Sequence, residues 1–151
     1  MILDEAGLEA LGRDIATRLT QGDCVLLEGP LGAGKSTLAR ALIRAACNTP
    51  DLDVPSPSYT LVQSYETPRF TLHHFDLWRL DGPDALGELG WDEARRGVVI
   101  VEWPERLATL RPAGSLSIAI SPHGPDTRRV AIAGWPARRP SPTGASNAPS
   151  G

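Results

Sequence analysis

The stretch Gly29-Pro-Leu-Gly-Ala-Gly-Lys-Ser36 matches the pattern G-x-x-x-x-G-K-[ST] of a phosphate-binding loop. The apolar run 24–27 before it predicts a buried strand, and residues 37–46 after it predict a helix, which is the context this motif needs. In such a loop the glycines aim backbone N–H groups at phosphates. Lys35 is then expected to reach the β- and γ-phosphates, and the Ser36 hydroxyl to ligate Mg²⁺.

Lys35 is the only lysine in the chain, whereas arginine occurs throughout. A compact ammonium group fits between phosphates where a planar guanidinium does not. The alternative is a glycine-rich turn that matches the motif by chance, and the single lysine argues against it.

Size and composition limit what kind of protein this is. The chain has 151 residues and a mass of 16.1 kDa, which predicts one domain. A net charge of -3 and a pI near 5.6 argue against a stand-alone nucleic-acid binder, so RNA is expected to be reached only indirectly, through a partner. Cys24 and Cys47 lack metal-ligand spacing, which predicts reduced thiols in a cytoplasmic protein. No leader-like or long apolar segment is found, so no membrane association is expected.

The segments flanking the phosphate-binding loop predict an α/β fold. Apolar residues recur at intervals of three and four between residues 6 and 19, which predicts a core-facing helix. The segment 48–57 contains three prolines and is predicted to be an irregular loop. It delivers Ser56-Pro-Ser-Tyr-Thr60, whose hydroxyls could sense a γ-phosphate as a switch loop does, or could belong to an ordinary polar turn.

Residues 59–65 and 70–75 are rich in β-forming residues and predict a hairpin. His74 and Asp76 should share one face of its second strand, because side chains alternate along a strand. Asp76 could contact Mg²⁺ directly or through water, orient an attacking water, or only cap the strand. For His74 the preferred interpretation is an ordinary packed or solvent-facing histidine.

The run 98–101 is uninterrupted and apolar, as in a parallel strand buried on both faces, and it leads into Glu102. An acid at the carboxyl end of a strand beside the phosphate loop is where a Mg²⁺-holding carboxylate sits, although a chance strand-end acid remains the alternative. A short helix is predicted within 82–90, and antiparallel strands at 116–120 and 129–133.

Four motifs stand in order along the chain: Leu31-Gly-Ala-Gly-Lys-Ser-Thr37, Ser56-Pro-Ser-Tyr-Thr-Leu-Val62, His74-Phe-Asp-Leu-Trp-Arg-Leu80 and Val101-Glu-Trp-Pro-Glu105. This combination closely resembles the TsaE family of small bacterial P-loop ATPases, which are required for the threonylcarbamoyladenosine (t6A) modification of tRNA. The resemblance covers roughly residues 3 to 133. It implies a mixed sheet with a mostly parallel core, antiparallel strands and flanking helices, which binds ATP and Mg²⁺ and works with the TsaD and TsaB proteins.

The resemblance also assigns roles to single residues. Lys35, Asp76 and Glu102 are expected to be catalytic, and Ser36, Asp76 and Glu102 to be the metal site. Nucleotide contacts are expected from Glu5, Gly32, Ala33, Gly34, Lys35, Ser36, Thr37, Ser58, Tyr59, Thr60 and Trp103. Three departures from the family pattern stand out: serine at 36 and 58 where threonine is usual, and Trp78 in place of the usual tyrosine.

Two other function classes are alternatives. A P-loop kinase for a small molecule or nucleotide usually carries an Arg-rich lid, and the loop 48–57 contains no Arg or Lys. A nucleotide-dependent scaffold without useful hydrolysis is disfavoured by the intact set of Lys35, Ser36, Asp76 and Glu102. No arginine is obviously placed to reach a γ-phosphate; the internal candidates are Arg79, Arg128 and Arg129.

The domain is predicted to span residues 1–135, followed by a disordered tail, 136–151, rich in Pro, Ser, Gly and Ala. Ordering such a tail would cost about 1 kcal/mol per residue in backbone entropy with little apolar burial in return. We therefore expect that deletion of residues 137–151 leaves the melting temperature and ATPase activity unchanged. A melting temperature lowered by several degrees in calorimetry would show instead that the tail docks on the domain.

Overall fold

The structure, a computed structural model, describes residues 1–135. Its regular elements are, in chain order, β1 (Ile2–Leu3), α1 (Glu5–Arg18), β2 (Cys24–Glu28), α2 (Lys35–Ala46), β3 (Val62–Glu66), β4 (Thr71–Asp76), a 3-10 helix (Pro83–Leu89), α3 (Trp91–Ala94), β5 (Val98–Glu102), a second 3-10 segment (Pro104–Leu110), β6 (Leu116–His123) and β7 (Thr127–Ala133). The predicted tail, 136–151, lies outside the described residues, so its disorder stays a prediction.

All seven of these strands form one sheet in the order β1-β7-β6-β2-β5-β4-β3. The four central strands, β6, β2, β5 and β4, are parallel, and the outer pairs are antiparallel. The predicted mixed α/β sheet with a mostly parallel core is therefore confirmed. The phosphate-loop strand, β2, lies in the middle of it, between β5 and β6.

Each face of the sheet is covered by a separate apolar cluster. One cluster joins α1 and α2 to the sheet, and it contains Val98 and Ile100 of β5. The other lies under α3 and the 3-10 segments, and it contains Val99 and Val101 of the same strand. β5 is thus buried on both faces, as its uninterrupted apolar run predicts.

Several boundaries differ from the sequence-based prediction. β3 begins at Val62 rather than at Tyr59, because residues 58–60 form a turn and Leu61 takes a left-handed conformation with φ 69°. α2 begins two residues earlier than predicted, at Lys35. The two-residue β1 and the second 3-10 segment were not predicted, since neither carries a clear hydrophobic period.

Other predictions agree with the structure. No helix or strand lies between α2 and β3, in line with the prolines there. Cys24 and Cys47 are both free thiols, and burial raises the pKa of Cys24 to about 11, so this thiol stays neutral. Across residues 1–135, no helix has the length and apolar character required to span a bilayer.

Candidate functional site

The groups expected to bind a nucleotide meet at one edge of the sheet. β5 lies between β2 and β4, and the register of the parallel strands places Asp76 beside Glu102 at their carboxyl ends. The phosphate-binding loop follows β2, and Lys35 and Ser36 open α2. All four of these residues line one cleft of about 520 Å³. The sheet topology therefore brings together side chains that are up to 67 positions apart in the sequence.

Glycines shape the loop at two positions. A Cβ on Gly29 would collide with the carbonyl oxygen of Ile120 in β6, so only glycine lets the loop leave the sheet here. Gly34 is the N-cap of α2 with φ 114°, and no side chain caps this helix. The first N–H groups of α2 are therefore open to an anionic ligand, which the helix dipole also favours. The Ala33 N–H instead donates to the Pro30 carbonyl at 3.1 Å, within the loop.

Lys35 is held inside the cleft, where it is only 4% exposed. Its Nζ donates to the Gly29 carbonyl at 2.6 Å and lies 3.7 Å from the centre of the Trp103 ring. Trp103 directly follows β5 in a left-handed conformation, with φ 60° and ψ 53°. Burial lowers the pKa of Lys35, and the negative charges of Glu102 and Asp76 oppose that shift. A cation that has already lost most of its hydration is well placed to gain from an anionic ligand.

The two carboxylates lie close together and are almost buried, with Asp76 5% and Glu102 3% exposed. Burial raises the pKa of Asp76, and the negative charge of Glu102 raises it further. A bound cation would relieve both effects. Together with the Ser36 hydroxyl, these carboxylates are the hard oxygen ligands that Mg²⁺ prefers.

The protein's own ligand set for a metal is nonetheless incomplete. Within residues 1–135, no cluster of three or more His, Cys, Asp or Glu residues could hold a metal ion. Mg²⁺ usually keeps several waters and is bound by one or two carboxylates together with substrate phosphates. Ser36, Asp76 and Glu102 therefore fit a Mg²⁺ ion that arrives with a nucleotide better than a resident structural metal.

His74 is a packed histidine, which is one of the two ordinary forms that the preferred interpretation allowed. It is 2% exposed, and its Nε2 lies 2.7 Å from Oε2 of Glu102. Its polar partner, however, is a carboxylate of the candidate metal site. Sequence reasoning missed this contact because it depends on the register between β4 and β5.

The hydroxyl-rich loop before β3 reaches the cleft in part. Ser56, Ser58 and Tyr59 line it, and the hydroxyls of the two serines lie 2.8 Å apart. Tyr59 is 87% exposed at the mouth of the cleft. Thr60 is exposed and does not line the cleft, so this structure does not bring it to the other predicted residues.

A second cavity of about 330 Å³ adjoins the cleft. It is lined by Glu5 and by Asp126 of the turn between β6 and β7, and it shares Gly34, Thr37 and Arg128 with the larger cleft. Glu5 therefore lies near Gly34 and Thr37, but it does not line the cleft that contains Asp76 and Glu102. The expected contact between Glu5 and the nucleotide stays a prediction.

Two arginines also line the cleft, Arg79 and Arg128. Arg79 lies 5.4 Å above the Tyr59 ring, and Arg128 Nε donates to the Ala33 carbonyl at 2.8 Å. Arg129, the third internal candidate, does not line the cleft. Arg79 follows Asp76 closely in sequence, whereas Arg128 carries no local signal, because it reaches the loop from β7.

Comparisons with known proteins agree with this fold and identify the family. A family model described as "Threonylcarbamoyl adenosine biosynthesis protein TsaE" matches residues 2–130. A Rickettsia felis protein named "tRNA threonylcarbamoyladenosine biosynthesis protein TsaE" is 39% identical over 103 residues, or 68% of this chain and 60% of that protein. A Nostoc protein of the same name is 32% identical over 136 residues, or 87% of this chain and 82% of that protein.

The chain spans about three fifths of the length of the Rickettsia felis, Rickettsia prowazekii and Rickettsia conorii relatives that it matches. Among solved structures, the crystal structure of Bacillus subtilis YdiB is similar, with a TM-score of 0.69 and 24% sequence identity. That match covers 92% of this chain and 88% of YdiB, and it shows a shared fold. Since the family model matches all but the first residue and the last 21 of the 151-residue chain, the protein belongs to the TsaE family.

Proposed function

We propose that this protein binds ATP with Mg²⁺ and hydrolyses the ATP as a component of tRNA t6A biosynthesis. The observation that carries the proposal is the convergence of Lys35, Ser36, Asp76 and Glu102 on one cleft, at the open N-terminus of α2. A cation, a helix N-terminus and a group of oxygen ligands are the parts that phosphoryl-transfer sites use.

Each residue of the cleft has a separate role in the proposed reaction. The N–H groups of the loop and of the first turn of α2 hold the phosphates, and Lys35 pairs with their charge. Ser36, Asp76 and Glu102 would hold Mg²⁺ or its waters, and the bound ion would supply charge neutralisation between the outer phosphates. Asp76 can also accept a hydrogen bond from the attacking water, since its carboxylate lines the cleft. Ser58 and Tyr59 close the site from the loop before β3.

Membership of the family supports the proposed pathway and partners. The relatives' names place those proteins in tRNA threonylcarbamoyladenosine biosynthesis. With a net charge of -3, this chain is poorly suited to hold tRNA by itself. In this proposal it acts on a complex of TsaD and TsaB type, and its output is a conformational change in that complex. The tRNA is reached through that complex, and the expected location is the cytoplasm.

A kinase of the same P-loop class is the alternative. It needs a second binding site for the phosphate acceptor and a lid that closes over both substrates. The irregular segment between α2 and β3 lacks Lys and Arg, which disfavours such a lid. A kinase would transfer the γ-phosphate to a small molecule, whereas the ATPase proposed here releases inorganic phosphate.

The test is reconstitution of t6A formation on unmodified tRNA with TsaD, TsaB and a supply of the threonylcarbamoyl donor, with and without this protein. Multiple turnovers of t6A formation are expected only when this protein and ATP are both present. Phosphate release should accompany the modification. Equal t6A yields without the protein would refute the proposed role, and phosphate transfer to a small molecule would favour the kinase.

Glu102→Gln is expected to leave the fold intact and to weaken Mg²⁺-dependent hydrolysis at limiting Mg²⁺ about tenfold or more. The amide keeps the shape of the side chain but removes a metal-binding charge, and even indirect partners of a metal typically contribute 10–100-fold. Phosphate release measured across a Mg²⁺ titration checks this, with Glu93→Gln as a control because Glu93 is exposed outside the cleft. Equal rates at limiting Mg²⁺ would make Glu102 a simple strand-end acid.

A further inference from the structure

His74 and Glu102 form a buried polar pair between neighbouring strands. His74 is in register with Ile100, two positions before Glu102, so its ring reaches diagonally across to the carboxylate. Nε2 and Oε2 are 2.7 Å apart, and the two side chains are only 3% and 4% exposed. Such a short contact out of water fixes the orientation of both groups.

The direction of this hydrogen bond follows from the chemistry of the carboxylate. An ionised glutamate has no proton to donate, so the Nε2–H of His74 must be the donor. The other ring nitrogen, Nδ1, is buried and has no hydrogen-bond partner among residues 1–135. The ring is therefore tied to the structure by one polar contact, and that contact is with Glu102.

A purely structural role does not explain this histidine. An apolar side chain would remove the unpartnered nitrogen, and the same strand carries the fully buried Leu72 and Phe75. Replacing a polar pair by apolar groups is often neutral or stabilising, whereas an unsatisfied buried polar atom has a cost. The polar ring is justified if the Glu102 carboxylate has to be held in one orientation.

The surroundings of Glu102 offer few other groups that could orient its carboxylate. Asp76, a like charge, lies beside it in the strand register, and both carboxylates are almost buried. The nearby cation, Lys35, is hydrogen-bonded to the Gly29 carbonyl. The His74 N–H holds Oε2, so Oε1 is left for a metal ion or a water bound to it. Partners of this kind orient metal-binding carboxylates and typically contribute 10–100-fold in metal affinity.

We propose that His74 is a positioning residue of the nucleotide-bound metal site, which donates its Nε2–H to Glu102 and so holds that carboxylate ready for Mg²⁺. This inference rests on the Mg²⁺-dependent ATPase proposed above. His74 acts on the metal through Glu102 and does not itself contact the metal or the phosphates.

The test compares three variants: His74→Leu, His74→Gln and His73→Leu. Leucine removes the donor, whereas the glutamine amide can present an N–H near the position of Nε2. His73 is the matched control, because it is the adjacent histidine on the opposite face of β4, where its Nδ1 contacts the Ser64 hydroxyl. Mn²⁺ affinity is measured by the electron paramagnetic resonance of free Mn²⁺, with the full-length chain and a saturating non-hydrolysable ATP analogue.

We expect His74→Leu to raise the Mn²⁺ dissociation constant about 10–100-fold. His74→Gln should recover most of that affinity, and His73→Leu should match the unmodified protein. In hydrolysis assays the loss should fall on the Mg²⁺ concentration needed for half-maximal rate, with a smaller change in the rate at saturating Mg²⁺. Wild-type Mn²⁺ affinity in His74→Leu would overturn the proposal, and so would equal losses in the leucine and glutamine variants.

A second measurement stands even if the leucine variant does not fold. The nitrogen NMR shifts of His74 in the nucleotide-free protein report which ring nitrogen carries hydrogen. Hydrogen on Nε2 supports the proposal, and a ring protonated at Nδ1 alone overturns it. If the unmodified protein binds no Mn²⁺ with the analogue, the proposed function itself fails. If it binds normally and His74→Leu does as well, only the role of His74 fails.

Discussion

Lys35→Ala is expected to abolish productive ATP binding, with the dissociation constant raised about thirtyfold to a few thousandfold. Lys35 is the only lysine of the chain, and it is nearly buried between the loop and Trp103. Truncation of one member of a desolvated charge pair typically costs about 2–5 kcal/mol, which corresponds to that range. Isothermal titration calorimetry with ATP and Mg²⁺ measures the change directly.

Two control variants test whether the loss of affinity comes from the ammonium group of Lys35 itself. One removes a different cation of α2, and the other keeps the positive charge but changes the shape of the group. Arg40→Ala removes another cation of α2 that does not line the cleft, and its ATP affinity should be unchanged. Lys35→Arg keeps the charge but brings a planar group that does not fit between phosphates, so most of the affinity should still be lost. Circular dichroism should show the same fold in all three variants. Unchanged ATP affinity in Lys35→Ala would contradict the assignment of residues 29–36 as a phosphate-binding loop.

The parts of the site that lie within one local pattern were predictable from sequence. The loop between 29 and 36 carries its own motif, and the apolar run before Glu102 predicts a strand buried on both faces. Asp76 and Glu102 each end a predicted strand, and parallel strands bring their carboxyl ends to the same edge of the sheet. Composition and periodicity suffice for such features because the physical cause is local.

Other contacts depend on how distant segments align, and no local pattern encodes that. The His74–Glu102 hydrogen bond spans 28 positions and requires the register of β4 against β5. The hydrogen bond from Arg128 to Ala33 spans 95 positions and requires β7 to lie beside β6. The start of β3 was mispredicted for a different reason. Tyr59 and Thr60 have high β-propensity, but they lie in the turn that precedes Val62.

The isolated chain is expected to hydrolyse ATP slowly, and TsaD with TsaB to raise the maximal rate about a thousandfold. An arginine supplied in trans typically contributes that much or more to phosphoryl transfer. The two arginines of the cleft are already engaged: Arg79 lies over Tyr59, and Arg128 donates to the carbonyls of Ala33 and Thr127. Neither is therefore free to reach a γ-phosphate without giving up a contact.

The surface around the cleft has features of a site that a partner protein covers and completes. Leu31 is 82% exposed, Tyr59 87% and Trp78 46%, and all three line the mouth of the cleft. Large apolar side chains grouped in this way are typical of a surface that another protein covers. A partner seated there would exclude water from the phosphates, and it could present a cation to the charge that develops in the transition state.

Steady-state ATPase assays with and without the partners test this, and the kinetic pattern identifies the cause. A group that acts mainly in the transition state raises kcat and leaves ATP affinity nearly unchanged, whereas a partner that only orders the binding site would lower KM. Arg79→Ala and Arg128→Ala, assayed without partners, measure any internal contribution, and each should lower the slow basal rate by less than the partners raise it. If the isolated chain is fast, insensitive to the partners and disabled by loss of either arginine, its site is complete in itself. That result would favour a free-standing ATPase or a kinase over a switch that is completed at an interface.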